Sequence, residues 1–265
     1  MAKTKYYEAI SKRLLVVNQS KAGAGLSGLL GLTGFFLLAA LFFVIENFFL
    51  SMLFLSFGLL SYVSGTDITK VMVSAFTIFF SNKHLTPKGV YLHETMMALA
   101  EILKIKRNEK GEVTAEALKA GAKIVLPNNP LSEDIKKIID GNRDKEYAHY
   151  IAHYYYEECH ELYQVSADNY DFVSTTMPLW GLIGTVLGLI AMFDTLGADV
   201  TVEALSPQLA LSLKTTLYGA VYATLYRIPG VRFEQRMKSL ESDYDLLLKS
   251  LDVIMISKPV IEVAE

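Results

Sequence analysis

Apolar residues fill the chain from Ala22 to Val63, with one strongly polar break at Glu46-Asn47. A single crossing of the hydrocarbon core takes about 20 residues, so this block fits two spans, over 24–45 and 48–64, joined by a short turn. A third apolar stretch over 173–196 ends at the polar segment 197–207, and a fourth follows over 208–228. Between them, Leu92, Met96, Leu99, Ile102 and Leu103 recur near 3.6 residues and predict a helix over 87–106. Thr86 is its expected N-cap and Pro87 its first helical residue. Ile68 to Phe80 reads as an extension of the second helix, and a short helix is expected near 112–122. Ser132 is expected to cap a helix starting at Glu133-Asp134. From about 144 one helix runs into the third span. An amphipathic helix over 230–257 and a loose tail to Glu265 close the chain.

No strand pattern competes with this reading. The expected fold is all-α: a polytopic membrane protein with four transmembrane helices and a helical cytoplasmic domain. Its parts are a cytoplasmic N-terminal segment (1–23), a transmembrane hairpin (24–65), a cytoplasmic helical domain (66–172), transmembrane helices three and four (173–229), and a cytoplasmic C-terminal helix and tail (230–265).

Composition agrees. The chain is 52% hydrophobic yet 20% charged, which is too apolar for an ordinary soluble domain and too charged for membrane spans alone. A net charge of -3 gives no basic surface for nucleic acid. Lys3, Lys5, Lys12, Arg13 and Lys21 precede the first span, and Lys70, Lys83 and Lys88 follow the second, with no basic residue between the two spans. Arg227, Arg232, Arg236 and Lys238 follow the fourth. The positive-inside rule therefore places both termini and the central domain in the cytoplasm. The apolar region after the basic N-terminal segment is too long for a signal peptide and reads as a retained span. The single cysteine, Cys159, cannot form an intrachain disulfide and reads as a packing residue.

The richest motif is Pro178-Leu179-Trp180-Gly181-Leu182-Ile183-Gly184-Thr185-Val186-Leu187-Gly188. Gly181, Gly184 and Gly188 remove side chains at helical spacing, so a helix can press into the groove they leave. That helix belongs either to another chain or to the same protomer. Gly219 follows Lys214-Thr215-Thr216-Leu217-Tyr218 in the fourth span. Thr185, Thr215 and Thr216 put hydroxyls at membrane depth. A hydroxyl there bonds back to its own helix, ligates a partly dehydrated cation, or holds a water that passes a proton. Neither span carries a carboxylate at that depth, so the acid of an ion path would come from another chain. Pro178 and Pro229 either end their helices or act as hinges. Lys214 either reaches for the interface or pairs with Asp194. His149, His153 and Glu157 share one helix face with His160 nearby, but nothing completes a metal site, and no metal or cofactor is expected. No nucleophile–base arrangement is present, so an enzyme is not expected.

On the motifs of 176–230, and on the order of a hairpin, a cytoplasmic domain and two more spans, the chain resembles the MotA/TolQ/ExbB proton-channel family. It is closer to the MotA/PomA stator branch, since ExbB and TolQ usually have three spans. The resemblance implies a subunit that turns H+ or Na+ flow, with a lean to Na+, into rotation or other work. It implies a homopentamer in the bacterial inner membrane around a dimer of a single-span MotB-like or ExbD-like partner that supplies a membrane aspartate. Thr185 and Thr216 would line the ion path, and Pro178 and Pro229 would couple it to the cytoplasmic domain. Lys106, Arg107, Glu112 and Glu116 lie where flagellar members engage a rotor. The local pattern there departs from theirs, which leaves flagellar, gliding, transport and defence machines open. The alternatives are an ExbB/TolQ-like energy-transducing channel subunit and a non-conducting membrane scaffold.

Overall fold

The computed structural model describes residues 26–65, 68–81, 83–104, 106–107, 113–114, 122–194 and 202–264. The expected segment 1–23, most of the helix expected near 112–122, Glu112 and Glu116 lie outside the described residues. The chain divides into two compact units. One lies within Val16–Phe79 and Val165–Phe233, the other within Phe80–Gln164 and Glu234–Glu265.

The first of these units begins with a hairpin of α1 (Leu26–Val44) and α2 (Phe48–Ser64). Glu46 turns the chain with φ 63°, and the Asn47 side chain accepts the Leu50 N–H as N-cap of α2. Ser51 Oγ, buried between the two helices, donates to Ala39 O at 2.8 Å. Gly65, at φ 67°, closes α2 in a backbone region that favours glycine. Residues Ile68–Phe80 are therefore a separate helix, α3, and not the extension expected from their apolarity. The unit is completed by parts of two long helices, α6 (Lys145–Asp194) and α7 (Val202–Ser257). Tyr170 Oη on α6 donates to Val71 O of α3 at 2.9 Å. Phe36 of α1 meets Trp180 of α6 edge-on, and Tyr222 Oη of α7 donates to Phe49 O of α2.

Neither Pro178 nor Pro229 ends its helix. Both sit inside, so the expected break between a fourth span and a separate helix over 230–257 does not exist. A proline removes one N–H but need not stop a helix whose neighbours hold the backbone in place. In the turn before Pro178, Ser174 and Thr175 donate to Asp171 O, and Thr176 donates to Phe172 O.

Among the described residues, α6 is the one helix long and apolar enough to cross a membrane, while α1 and α2 are apolar but shorter. Large apolar side chains cover the outside of this unit: Leu37, Val44, Leu182, Leu213 and Leu217 are each more than half exposed. Such a surface calls for an apolar environment or further protein.

The second unit contains α4 (Pro87–Ile102) and α5 (Pro130–Asp140), packed with the N-terminal part of α6 and the C-terminal part of α7. Thr86 caps α4, accepting the Gly89 N–H at 3.1 Å, with Pro87 at the first turn as expected. The cap of α5 is Asn129, not Ser132. Its Oδ1 accepts the Ser132 N–H at 2.8 Å, and Pro130 occupies the first turn. The described residues are overwhelmingly helical, as expected, and two short strand pairings stand beside the helices. Strand β1 (Lys106–Arg107) pairs antiparallel with β2 (Val113–Thr114), so α4 stops at Ile102 rather than 106. Strand β3 (Lys123–Leu126) pairs parallel with β4 (Val260–Val263), which pins the tail expected to be loose. Ile124, Leu126 and Ile261 are buried on one face of this pair.

Cys159 is buried against Gly89, and its burial pushes the thiol up to about 12. It is an inert packing residue.

Histidine–carboxylate contacts tie α6 to α7 in this unit. His149 Nε2 lies 2.7 Å from Asp252 Oδ1, Lys145 Nζ lies 2.9 Å from Asp252 Oδ2, and His160 reaches Glu241 at 3.3 Å. Burial raises the Asp252 carboxyl, but hydrogen bonds and charge from Lys145 and His149 outweigh it, leaving it below the usual carboxylate range. A depressed carboxylate stabilises the fold above its unfolded pKa of about 3.9 and loses that contribution as pH falls through its folded value. Asp252→Asn is therefore expected to cost up to about 1 kcal/mol at neutral pH, a half-exposed pair being worth no more. The deficit should vanish in strong acid. Thermal unfolding of the wild type and the variant across pH 2–8 checks both the size and the sign.

Candidate functional site

The helices α6 and α7 run antiparallel through the first unit and touch along two ladders of small residues. A Cβ at Gly181 would lie 3.1 Å from Thr215 O and 3.4 Å from Gly219 Cα. One at Gly184 would meet Thr215 Cβ at 2.5 Å, and one at Gly188 would run into Ser212 Oγ. One at Gly219 would meet Met177 O and Gly181 Cα at 3.0 Å. The glycine groove is thus filled by the chain's own α7, and not by a second protein. Without side chains between them the backbones approach closely, and dispersion and polar contacts replace the hydrophobic effect that a membrane lacks.

This close approach sets the hydroxyls. Thr185 Oγ1 lies 3.2 Å from Gly181 O, 3.3 Å from Ser212 O, and against Thr216 Oγ1. Thr216 Oγ1 also lies 3.1 Å from Ser212 O. Ser212 Oγ donates back across the seam to Thr185 O at 3.2 Å or along its own helix to Gln208 O at 3.1 Å. Thr215 is buried, with its hydroxyl directed at Leu211 O and Ser212 O of its own helix. The three expected threonines therefore divide. Thr215 fills the seam opposite Gly184, while Thr185 and Thr216 form a joined pair whose Thr216 end is exposed among the apolar Leu182, Val186, Leu213 and Leu217. Ser212 is the member of the seam that sequence reasoning passed over. Ser212, Thr215 and Gly219 step by three and then four residues, as Gly181, Gly184 and Gly188 do, and because the helices are antiparallel Ser212 meets Gly188 while Gly219 meets Gly181.

Lys214 and Asp194 are both exposed and make no ion pair with each other among the described residues. Lys214 shares a recess with Glu46 and Asn47 of the α1–α2 turn, so its charge sits level with a polar turn and not halfway along the helices. Toward the other end of these helices Asp171 of α6 pairs with Arg227 of α7, two residues before Pro229. Pro178 is exposed and Pro229 buried. Lys106 and Arg107 fall in β1. His149, His153 and His160 do not converge on one point. Each faces its own carboxylate, in Asp252, Glu157 and Glu241 respectively.

A glycine-packed antiparallel helix pair with a hydroxyl pair on an apolar outer face defines a chain built around a polar seam in helices of membrane character. The profile of the MotA/TolQ/ExbB proton channel family matches residues 107–245, just over half of the chain. The chain belongs to that family. Motility protein A of Aquifex aeolicus is 37% identical over 81 residues, 31% of this chain and 29% of that protein. Motility protein A of Borreliella burgdorferi is 25% identical over 146 residues, 53% of this chain and 54% of that protein. These matches span about half or less of the length of the curated relatives. A solved structure of C. jejuni MotAB aligns with a TM-score of 0.45 at 17% identity, covering 71% of this chain and 70% of that one.

The seam makes a direct prediction. Gly184→Ala forces a methyl into Thr215 and should destabilise by about 1–3 kcal/mol, as overpacking does. A Cβ at Gly34 of α1 meets nothing within 4 Å, so Gly34→Ala should be neutral or slightly stabilising through helix propensity. Thermal melting of both variants in detergent checks the contrast.

Proposed function

We propose that the chain is the pore-forming motor subunit of an ion-driven stator complex, which converts ion flow across the bacterial inner membrane into rotation or other mechanical work. In this reading α1, α2, the apolar part of α6 and the N-terminal half of α7 are four transmembrane helices, with both termini cytoplasmic. Copies of the chain form a homopentamer around a dimer of a single-span, MotB-like partner whose aspartate supplies the missing carboxylate. Family membership supports this, as does the name motility protein A carried by two of its relatives.

The observation that carries the reading is the Thr185–Thr216 hydroxyl pair, held on an otherwise apolar face with one end open. Polar oxygens facing lipid would gain nothing from that position, whereas oxygens facing a carboxylate-bearing helix complete a ligand set for a passing cation. Two hydroxyl oxygens suit a partly dehydrated Na+ somewhat better than a proton relay, which one hydroxyl and a water would serve. Thr215 contributes by packing. Pro178 and Pro229 are the hinges through which events at the pair reach the cytoplasmic domain, and Lys106, Arg107, Glu112 and Glu116 are the contacts to the driven machine.

Co-expression with the partner gene tests this. Thr185→Val and Thr216→Val should each lower ion-driven activity by about tenfold or more, a barrier change of about 1.4 kcal/mol, without reducing the amount of assembled complex. Thr185→Ser, which keeps the oxygen, should retain most of the activity. Unchanged activity in both valine variants would overturn the assignment and favour the non-conducting scaffold.

A further inference from the structure

We propose that His84, His93 and Asp243 form a binding site for one zinc-class divalent cation in the unit that holds α4 and α5. His84 sits in the turn before α4, His93 on the second turn of α4, and Asp243 on the C-terminal part of α7. One ligand atom from each lies within 4.8 Å of the others. His93 Nδ1 is 2.6 Å from Asp243 Oδ2, and His84 Nε2 is 3.6 Å from the same oxygen. A tetrahedral cation with bonds of about 2.0–2.2 Å sets its ligand atoms about 3.3–3.5 Å apart. The observed separations of 2.6 and 3.6 Å to the carboxylate oxygen bracket that spacing.

The second shell is already in place. The His84 ring faces the buried Tyr163 hydroxyl, with Nδ1 3.1 Å from Tyr163 Oη, and that oxygen also accepts the Leu85 N–H at 3.0 Å. A histidine oriented through one ring nitrogen presents the other to the metal, which is how ligating histidines are generally held. With Nδ1 turned to Tyr163, Nε2 faces the Asp243 carboxylate at 3.6 Å, beyond hydrogen-bond range. His84 and Asp243 are buried, whereas the His93 side chain is 47% exposed, which leaves an open side for ion entry and for a water as fourth ligand. Two imidazoles and one carboxylate select a zinc-class ion over Mg2+ or Ca2+, which take oxygen ligands. A bound ion would tie the start of α4 to α7 within the unit. The proposal is independent of the ion path, because none of its residues belongs to the threonine seam.

The test uses full-length, tag-free protein in detergent, stripped with chelator and then exposed to Zn2+ or Co2+. After desalting, the wild type should retain one Zn2+ per chain by elemental analysis. Its Co2+ form should show the visible absorption of a four-coordinate site, and Zn2+ should raise the melting temperature. His93→Ala, half-exposed and therefore expected to fold, should lose the ion, the absorption and the Zn2+-dependent rise together. Tyr163→Phe should weaken binding by about 10- to 100-fold. His153→Ala should change nothing. A stripped wild type that takes up no Zn2+ would overturn the site, as would a folded His93→Ala or Asp243→Asn variant that still binds one equivalent. In that case the His93–Asp243 contact is a hydrogen bond and nothing more.

Discussion

The absence of side chains at Gly181, Gly184, Gly188 and Gly219 is the constraint on which the rest depends. It lets two antiparallel helices approach until backbone atoms touch, and it puts Thr185 within reach of both Ser212 O and Thr216 Oγ1. With a methyl at Gly184 the same threonines would sit on helices pushed apart, each bonding only to its own preceding turn. The glycines thus act on the chemistry indirectly, by fixing the separation across which the hydroxyls meet.

Polar atoms are treated differently in the two units. Where α6 and α7 carry apolar outer faces, buried hydroxyls find carbonyl acceptors on the same or the neighbouring helix: Ser51 on Ala39 O, Ser56 on Leu53 O, Thr215 on Leu211 O. This satisfies those donors without charge, and the Asp171–Arg227 pair stands past the end of the seam. In the other unit the same two helices are cross-linked by several ionisable pairs; burial raises the Asp243 and Asp252 carboxyls, but hydrogen bonds and charge from the groups beside them hold both below their ordinary range. One pair of helices carries both regimes.

Much of this was legible in sequence, and the misreadings have physical reasons. The hairpin, the Thr86 cap, the unbroken helix from about 144 and the small-residue spacing follow from periodicity and cap chemistry, which are local. Pro229 was open to reading as a terminator because a lone proline in a sequence does not reveal whether packing holds the helix on either side. Asn129 and Ser132 are both good caps, so cap chemistry alone does not choose between them; Pro130, fit for a first helical position, favours Asn129. Strand β4 is four residues long and takes its identity from a partner more than a hundred residues earlier, so periodicity could not find it. The His84–His93–Asp243 cluster joins residues 150 positions apart, and no spacing rule reaches that far.

The parallel pairing of β4 with β3 bears on how the protein can be handled. Ala264 donates to Leu126 O at 2.8 Å, so the backbone is still engaged one residue before Glu265. A reporter or affinity handle inserted within Val260–Val263 would break this pairing and disturb the strand that leads toward the α5 cap at Asn129.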